Sequence, residues 1–402
     1  MAAEDTAIGA SDSGEIIMKL TLDRNELWRG LNTVLDAVAS KPAQPVLANV
    51  LLEAEGDRLT LSATDLDLSI RTRVVASVET AGRVTIPAKT LAGIVREWPD
   101  ADLSLALEDG RIVLSGRLGA TSGEGRYSLS ATPPDEFPEM PDTLDGLTLV
   151  FGNGSGLDGS LLRTMIEKTS FAVSRDETRP VLNGVLWRIE PELMVMVATD
   201  GSRLAEFRKT WESGQSTQGS AEVILPPQAC SELGKLLEDP ESLTQAVLGE
   251  SQVMFQIGET QLLSRLIEGP YVDYEQVVPR DNDKRLTIPV DQLLPAVRRV
   301  SILSSSYTHQ VRLQLKEAMV ELTASSQELG GEAREIIPAD YIAEEIEVAY
   351  NSHYLMEILR KLGSEEVILD LRDSVTAAVV RPAEQLEGED SYYLLMPMRP
   401  SA

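Results

Sequence analysis

Asp65 and Asp67 flank Leu66 and so share one face of an extended segment, where two carboxylates could hold a divalent ion or work as an acid and base pair. The matching stretch further along reads Asp200-Gly201-Ser202 and lacks the second carboxylate. An aspartate that follows Ala-Thr in both places fits a turn cap better, its oxygens accepting backbone N–H groups. His309 and His353 are the two histidines, and neither has another His or Cys at zinc-ligand spacing, so both are read as partly exposed polar side chains. Cys230 is the single cysteine; it sits among small and apolar residues and reads as a buried structural thiol. It cannot form an intrachain disulfide, which points to a reducing cytoplasm. No phosphate-binding Walker loop, dinucleotide glycine motif or Gly-x-Ser-x-Gly elbow occurs. The expectation is a protein with no catalytic residues, no metal and no cofactor.

The elements that must carry these residues belong to a chain of 402 residues with a formal net charge of -28 and 43% hydrophobic content. That length predicts several domains, each able to bury its own core. A strongly acidic total argues at first against nucleic acid, since phosphate binding rests on Lys and Arg displacing counterions. Met1 to Ile17 contain no Lys or Arg and no apolar block, so they are read as a flexible extension, 1–17, and not as a secretory signal. No apolar run is long enough to span a bilayer, and the protein is expected to be soluble.

The chain repeats itself. Pro45-Val46-Leu47-Ala48-Asn49-Val50-Leu51 returns 135 residues later as Pro180-Val181-Leu182-Asn183-Gly184-Val185-Leu186, and Ala63-Thr64-Asp65 returns at the same offset as Ala198-Thr199-Asp200. A weaker third echo is Ala324-Ser325-Ser326. Apolar positions at helical spacing predict six helices, at about 24–39, 87–98, 159–172, 226–237, 290–304 and 351–362. Short alternating runs such as Leu103 to Leu107 and Val367 to Leu371, parted by turns such as Glu108-Asp109-Gly110-Arg111, predict antiparallel strands. Pro- and Asp-rich stretches at 133–142 and 271–281 mark boundaries, giving domains 18–146, 147–283 and 284–402, each a pair of helices on antiparallel sheet, an α+β plan.

Charge is divided unevenly among these elements. The six helical stretches hold eleven basic and seven acidic residues, a surplus of four positive charges, so the remainder carries -32. A local positive surface attracts a polyanion within a Debye length of roughly 8 Å whatever the far-field total. The same surplus also fits helices that merely favour Lys and Arg.

The three-repeat plan, the block Arg179 to Gly184 followed by Ala198-Thr199-Asp200-Gly201-Ser202-Arg203-Leu204-Ala205, and the ending Tyr393-Leu394-Leu395-Met396-Pro397-Met398-Arg399 resemble the bacterial DNA polymerase III beta subunit family, the sliding clamps. The resemblance runs from Met18 to about Pro400. It implies three repeated domains of the DNA clamp type and a head-to-tail homodimeric ring, its helices lining a hole for double-stranded DNA and its sheets forming the rim. It implies a processivity factor in DNA replication, cytoplasmic and free of cofactor or membrane. Its partners would be the DNA polymerase III alpha subunit, the clamp-loader complex, and other polymerases and repair proteins carrying clamp-binding linear motifs.

Matched residue by residue, the family's peptide pocket falls here on Leu182, Thr199, Gly201, Ser202, Arg203, Leu204, Val277, Leu394, Leu395, Met396, Pro397, Met398 and Arg399. A cleft of Leu, Met and Pro side chains with one Arg at its edge would offer adaptable apolar contact and a charge-assisted bond. The DNA-facing set comprises Lys41, Arg175 and Arg179 by motif, with the helical cations Arg24, Lys89, Arg96, Arg163, Lys168, Lys235, Arg298 and Lys361. The dimer contacts fall on Tyr127, Leu129, Ile302 and Leu303. The family commonly has Phe-Pro-Asp-Tyr in the second linker, often with a basic residue three positions after the Asp; this chain has Tyr271-Val272-Asp273-Tyr274 and Gln276, which implies a different selection of partner peptides. Two rivals stand beside this reading: a metal hydrolase built on Asp65 and Asp67, and an acidic scaffold that binds peptides but not DNA.

Overall fold

The computed structural model describes residues 16–119, 123–152, 157–211 and 219–399. Most of the expected extension therefore lies outside the described residues, while Ile16 and Ile17, expected to belong to it, already form the start of the first strand, Ile16–Asp23.

Among the described residues six α-helices form where the apolar spacing places them: α1 (Arg24–Val34), α2 (Ala88–Glu97), α3 (Gly159–Thr169), α4 (Pro227–Leu236), α5 (Val290–Ser301) and α6 (Ser352–Lys361). Two kinds of start recur. Asp23, Asp158 and Asn351 accept the first free N–H groups of α1, α3 and α6 with their side chains. The other three begin beside Pro87, Pro226 or Pro289, where a missing N–H leaves nothing unpaired. Each helix buries one stripe, such as Leu27, Leu31 and Val34 in α1 or Leu355, Ile358 and Leu359 in α6. Among the described residues no helix is long and apolar enough to cross a membrane.

The chain divides into two compact units, one of residues 1–144 with 254–264 and one of 145–253 with 265–402. In the first, a five-stranded antiparallel sheet runs in the order Ser77–Thr80, Ile16–Asp23, Asp102–Glu108, Arg111–Arg117, Glu124–Ser130. The hairpin between Asp102–Glu108 and Arg111–Arg117 turns on Asp109 and Gly110, with φ of 48° and 73°. Two left-handed residues suit a two-residue turn whose twist matches its strands. A second set pairs Thr260–Arg265, Leu68–Val75, Arg58–Thr64, Asn49–Glu55 and Gly82–Pro87 in that order.

In the second unit one eight-stranded antiparallel sheet joins two repeats. Four strands of the middle repeat, ending with Arg203–Thr210, pair directly with four of the last, starting with Glu389–Leu395. The last repeat adds a four-stranded sheet in the order Gly331–Pro338, Met319–Ser326, Gln310–Lys316, Ile346–Asn351. Each Pro-led repeat landmark folds as one turn of 3₁₀-helix, Pro45–Ala48 and Pro180–Asn183, that leads into a strand.

Candidate binding site

The Ala-Thr-Asp landmark is one turn built twice. Asp65 accepts the N–H groups of Asp67 and Leu68 on one oxygen, and Asp200 does the same for Ser202 and Arg203. Thr64 and Thr199 each donate to the carbonyl four residues on, Leu68 and Arg203, and accept from the N–H two residues on. Asp65 is thus a cap, as its sequence context suggested, and among the described residues no group of three or more His, Cys, Asp or Glu side chains converges on a point. The third echo does part of this with a hydroxyl: Ser326 accepts from Leu329 N–H at 3.3 Å.

The turn at 200–203 opens the strand Arg203–Thr210, whose register with Glu389–Leu395 sets Arg203 opposite Leu395 and Leu204 opposite Leu394. Strand alternation then parts the expected pocket residues between two faces. Leu204 and Leu394 join Leu186, Val195, Val197, Tyr274, Val379 and Tyr392 in one buried cluster, with Val181, Ile267, Tyr271 and Val278 packed against it. Arg203 goes to the other face. Its side chain is 8% exposed, pairs with Asp200 at 3.1 Å and with Glu357, donates to the Phe171 carbonyl at 2.8 Å, and lies over the Tyr354 ring at 4.3 Å. Arg203, one of the expected pocket residues, is a buried strut here, because its alternation with Leu204 turns it toward α6.

The chain end completes this surface. Met396 donates its N–H to the Ser202 carbonyl at 2.9 Å, and Met398 donates to the Ala349 carbonyl at 2.7 Å, so the tail is stitched between the turn and the strand that precedes α6. Leu182, Thr199 and Leu395 are buried; Gly201, Ser202, Val277, Met396 and Arg399 are exposed, and Pro397 and Met398 are half-buried. Gln276 donates its side-chain amide to the Asp273 carboxylate at 2.7 Å, a contact that leaves the carboxylate charged. The aromatic floor of Tyr271, Tyr274 and Tyr392 was not among the expected pocket residues, although the strand alternation and the second linker carry it. Tyr392 donates to the buried Glu206 carboxylate at 2.7 Å, which fixes the ring edge beneath Leu394.

The expected DNA-facing cations fall into two groups. Six have partners: Arg24 donates to the Val95 and Arg96 carbonyls at the end of α2, Arg96 pairs with Glu97, Arg163 with Glu167, Arg179 with Asp176, and Lys235 with Glu232. Lys168 donates to the Leu362 carbonyl at the end of α6 and sits over Phe207, and burial holds its pKa below the usual lysine range. Lys41, Lys89, Arg175, Arg298 and Lys361 have no ion-pair partner among the described residues, and all but Lys361 are exposed.

The expected dimer residues are divided in the same manner. Ile302 is 69% exposed and Leu303 half-buried against Gly331; Tyr127 is 45% exposed and meets Trp98 edge-on with ring centroids 5.2 Å apart, while Leu129 is half-buried. Cys230 is fully buried and its thiol pKa is pushed up by that burial. The two histidines, unrelated by spacing, stack at 4.1 Å between ring centroids.

Three family models match in succession: the N-terminal domain of the DNA polymerase III beta subunit over residues 18–141, the central domain over 156–273 and the C-terminal domain over 275–399. A beta sliding clamp of Pseudomonas putida is 33% identical over 384 residues, which is 95% of this chain and 100% of that protein. One from Caulobacter vibrioides is 34% identical over 390 residues, with the same coverage. Among solved structures, a sliding clamp (DNA polymerase III subunit beta) from Pseudomonas aeruginosa, bound to griselimycin, superposes with a TM-score of 0.86 at 32% identity, over 95% of this chain and 100% of that one.

Proposed function

This chain belongs to the DNA polymerase III beta subunit family, and from that footing we propose how its own residues act as a DNA sliding clamp. It is a processivity factor and not a catalyst. Two copies close head to tail around duplex DNA in the cytoplasm, with the six helices of each chain turned inward. The free cations Lys41, Lys89, Arg175, Arg298 and Lys361 supply phosphate contacts, which position the ring without reading sequence. Loose contacts of that kind are screened by salt and permit sliding. Arg24, Arg96, Arg163, Lys168, Arg179 and Lys235 add to the field while holding helix ends and loops in place.

The groove over Leu204 and Leu394 receives short linear peptides from the polymerase alpha subunit, the clamp loader and other polymerases and repair proteins. Val277, Met396 and Met398 offer adaptable apolar walls to a hydrophobic anchor, and Gly201 and Ser202 give its backbone a close approach. Leu182, Thr199, Leu395 and Pro397 hold those walls, Arg203 braces the turn from below, and Arg399 is left at the exposed end as the charged contact.

The observation that carries the clamp reading is the succession of three matching domains across nearly the whole chain. Retention on closed circular DNA tests it. Loaded with a clamp loader and ATP, the protein should stay on the circle and leave once the circle is cut. Equal retention on both forms would mean that it binds DNA without encircling it.

A further inference from the structure

In the second unit a cavity of about 520 Å³ is walled by the first turns of α3, the chain just past the end of α6, and the segment 382–389. Lys168 lines it. Its side chain leaves α3 half-buried, its Nζ donates to the carbonyl of Leu362, the residue that caps α6, at 3.3 Å, and Nζ lies 5.3 Å from the centre of the Phe207 ring. Among the described residues it has no ion-pair partner. Glu389 is the carboxylate that attracts it, but Glu389 is paired with Lys209 at 3.5 Å. Burial outweighs that attraction and favours the neutral amine. Gly363, at φ 69°, leaves the approach to the amine open, since a Cβ there would stand 3.7 Å from Nζ. Leu161, Leu362 and Leu386 supply an apolar wall.

A lysine held out of water and away from a carboxylate gives up its proton more readily than an exposed one, and the amine that results is a nucleophile. Held by one N–H to a carbonyl, it keeps its lone pair for attack. We propose that Lys168 is a modification site, an amine placed to take the acyl group of a small acyl phosphate that the cavity admits whole. The Nζ lone pair attacks the carbonyl carbon, and a C–N bond replaces the C–O bond to phosphate. Inorganic phosphate leaves with that electron pair, and the surplus proton of the amine passes to water. The product amide keeps one N–H for the Leu362 carbonyl, and the leucine wall receives the acyl group. Lys209, in the same cavity, is set apart by its ion pair with Glu389 and its bond to the Glu387 carbonyl at 3.1 Å. The site does not depend on the sliding-clamp reading. Acylation removes a positive charge from the carboxyl end of α6, where a cation complements the helix dipole.

The test incubates the full-length protein with acetyl phosphate, folded and in urea, and reads the occupancy of each lysine by peptide mass spectrometry. Each unit by which a pKa falls raises the neutral fraction about tenfold, so in the folded protein at about pH 7.5 Lys168 should react at least roughly threefold faster than the exposed Lys41 and Lys89. Its rate should also level off at a lower pH than theirs, and its lead should vanish in urea. Lys168→Arg keeps the charge and should remove the fastest phase from the intact-mass trace while Lys41 and Lys89 keep their rates; should that variant fail to fold, the site-resolved rates of the wild type decide alone. If Lys168 reacts no faster than the exposed lysines, or Lys209 reacts before it, the proposal is overturned. A lead that persists in urea belongs to the local sequence and not to the cavity, and overturns it equally. Retention on circular DNA judges the clamp reading separately, whichever of these results is found.

Discussion

Gly201 and Leu66 occupy the same position in two copies of one turn, with φ of 90° and 82°. Only glycine takes that conformation freely; a side chain there costs roughly 1–2 kcal/mol. Gly201→Leu should therefore lower stability by about that amount, and more if the Arg179 guanidinium, 3.2 Å from where a Cβ would sit, must move. Leu66→Gly should go the other way by less than about 1 kcal/mol, since backbone freedom in the unfolded chain offsets part of the relief. Urea unfolding midpoints measure both, and a Gly201→Leu protein as stable as wild type would contradict the strain argument. The stacked histidines give a second residue-scale expectation. Burial, then the neighbouring His309, lower the His353 pKa below 6.5, with Arg360 adding to the effect and Glu357 opposing it. Across the cavity that His353 lines beside the turn at 200–203, Arg175 and Asp176 are the other charged groups of the adjoining loop. The unfolded chain takes a proton near 6.5 while the folded one resists until lower pH, so in that window the unfolded state holds more protons. Stability from this source is complete above 6.5 and is lost as pH falls below it. His309→Gln removes the like-charge neighbour and should flatten the loss between about pH 7 and about pH 5 in a denaturation series. Parallel curves for variant and wild type would show that the stack does not matter to folding.

The strands Arg203–Thr210 and Glu389–Leu395 do two jobs, joining the middle and last repeats and delivering the tail to the groove. Two backbone hydrogen bonds, from Met396 to Ser202 and from Met398 to Ala349, hold that tail after the strand has ended. Truncation after Leu395 leaves all eight strands of the sheet paired, so the fold and its oligomeric state should persist while affinity for a polymerase-derived peptide is lost. Titration calorimetry reads this directly, and undiminished affinity would move the peptide site elsewhere. The six helices were legible from apolar spacing, and the two Asp turns from their repetition, because both are local patterns. The pairing across repeats was not, since alternation tells which residues share a face but leaves the partner strand open. That gap is why Arg203 was grouped with Leu204 at the groove: neighbours in a motif look like one site, whereas neighbours in a strand face opposite ways. His309 and His353 are partly exposed polar side chains as expected, but their stacking was not legible for a related reason, as nothing in their spacing signals that a loop and the start of α6 meet.

At the scale of the molecule, the charge of -28 and the open sheet edges set the terms of assembly. An acidic exterior keeps copies apart unless a specific contact overcomes it. In the first unit the strand Glu124–Ser130, carrying Tyr127 and Leu129, ends its sheet; in the second, Gly331–Pro338 ends its own, with Ile302 and Leu303 close by at the end of α5. An uncovered strand edge presents unpaired N–H and C=O groups and invites pairing with another chain. Because the two edges lie on different units, a contact between them joins head to tail, and in a closed dimer it occurs twice. Ile302, 69% exposed, is a large apolar side chain left open beside that edge, and covering it removes apolar surface from water. Placing aspartates at both Ile302 and Leu303 puts two buried charges into each junction, each costing several kcal/mol without a partner. The double variant should run as a monomer in light scattering with its helix and strand content intact. It should also fail to persist on circular DNA that retains the wild type, since an open arc cannot encircle. A dimer of unchanged mass would remove both residues from the junction and leave Leu303 to its packing against Gly331.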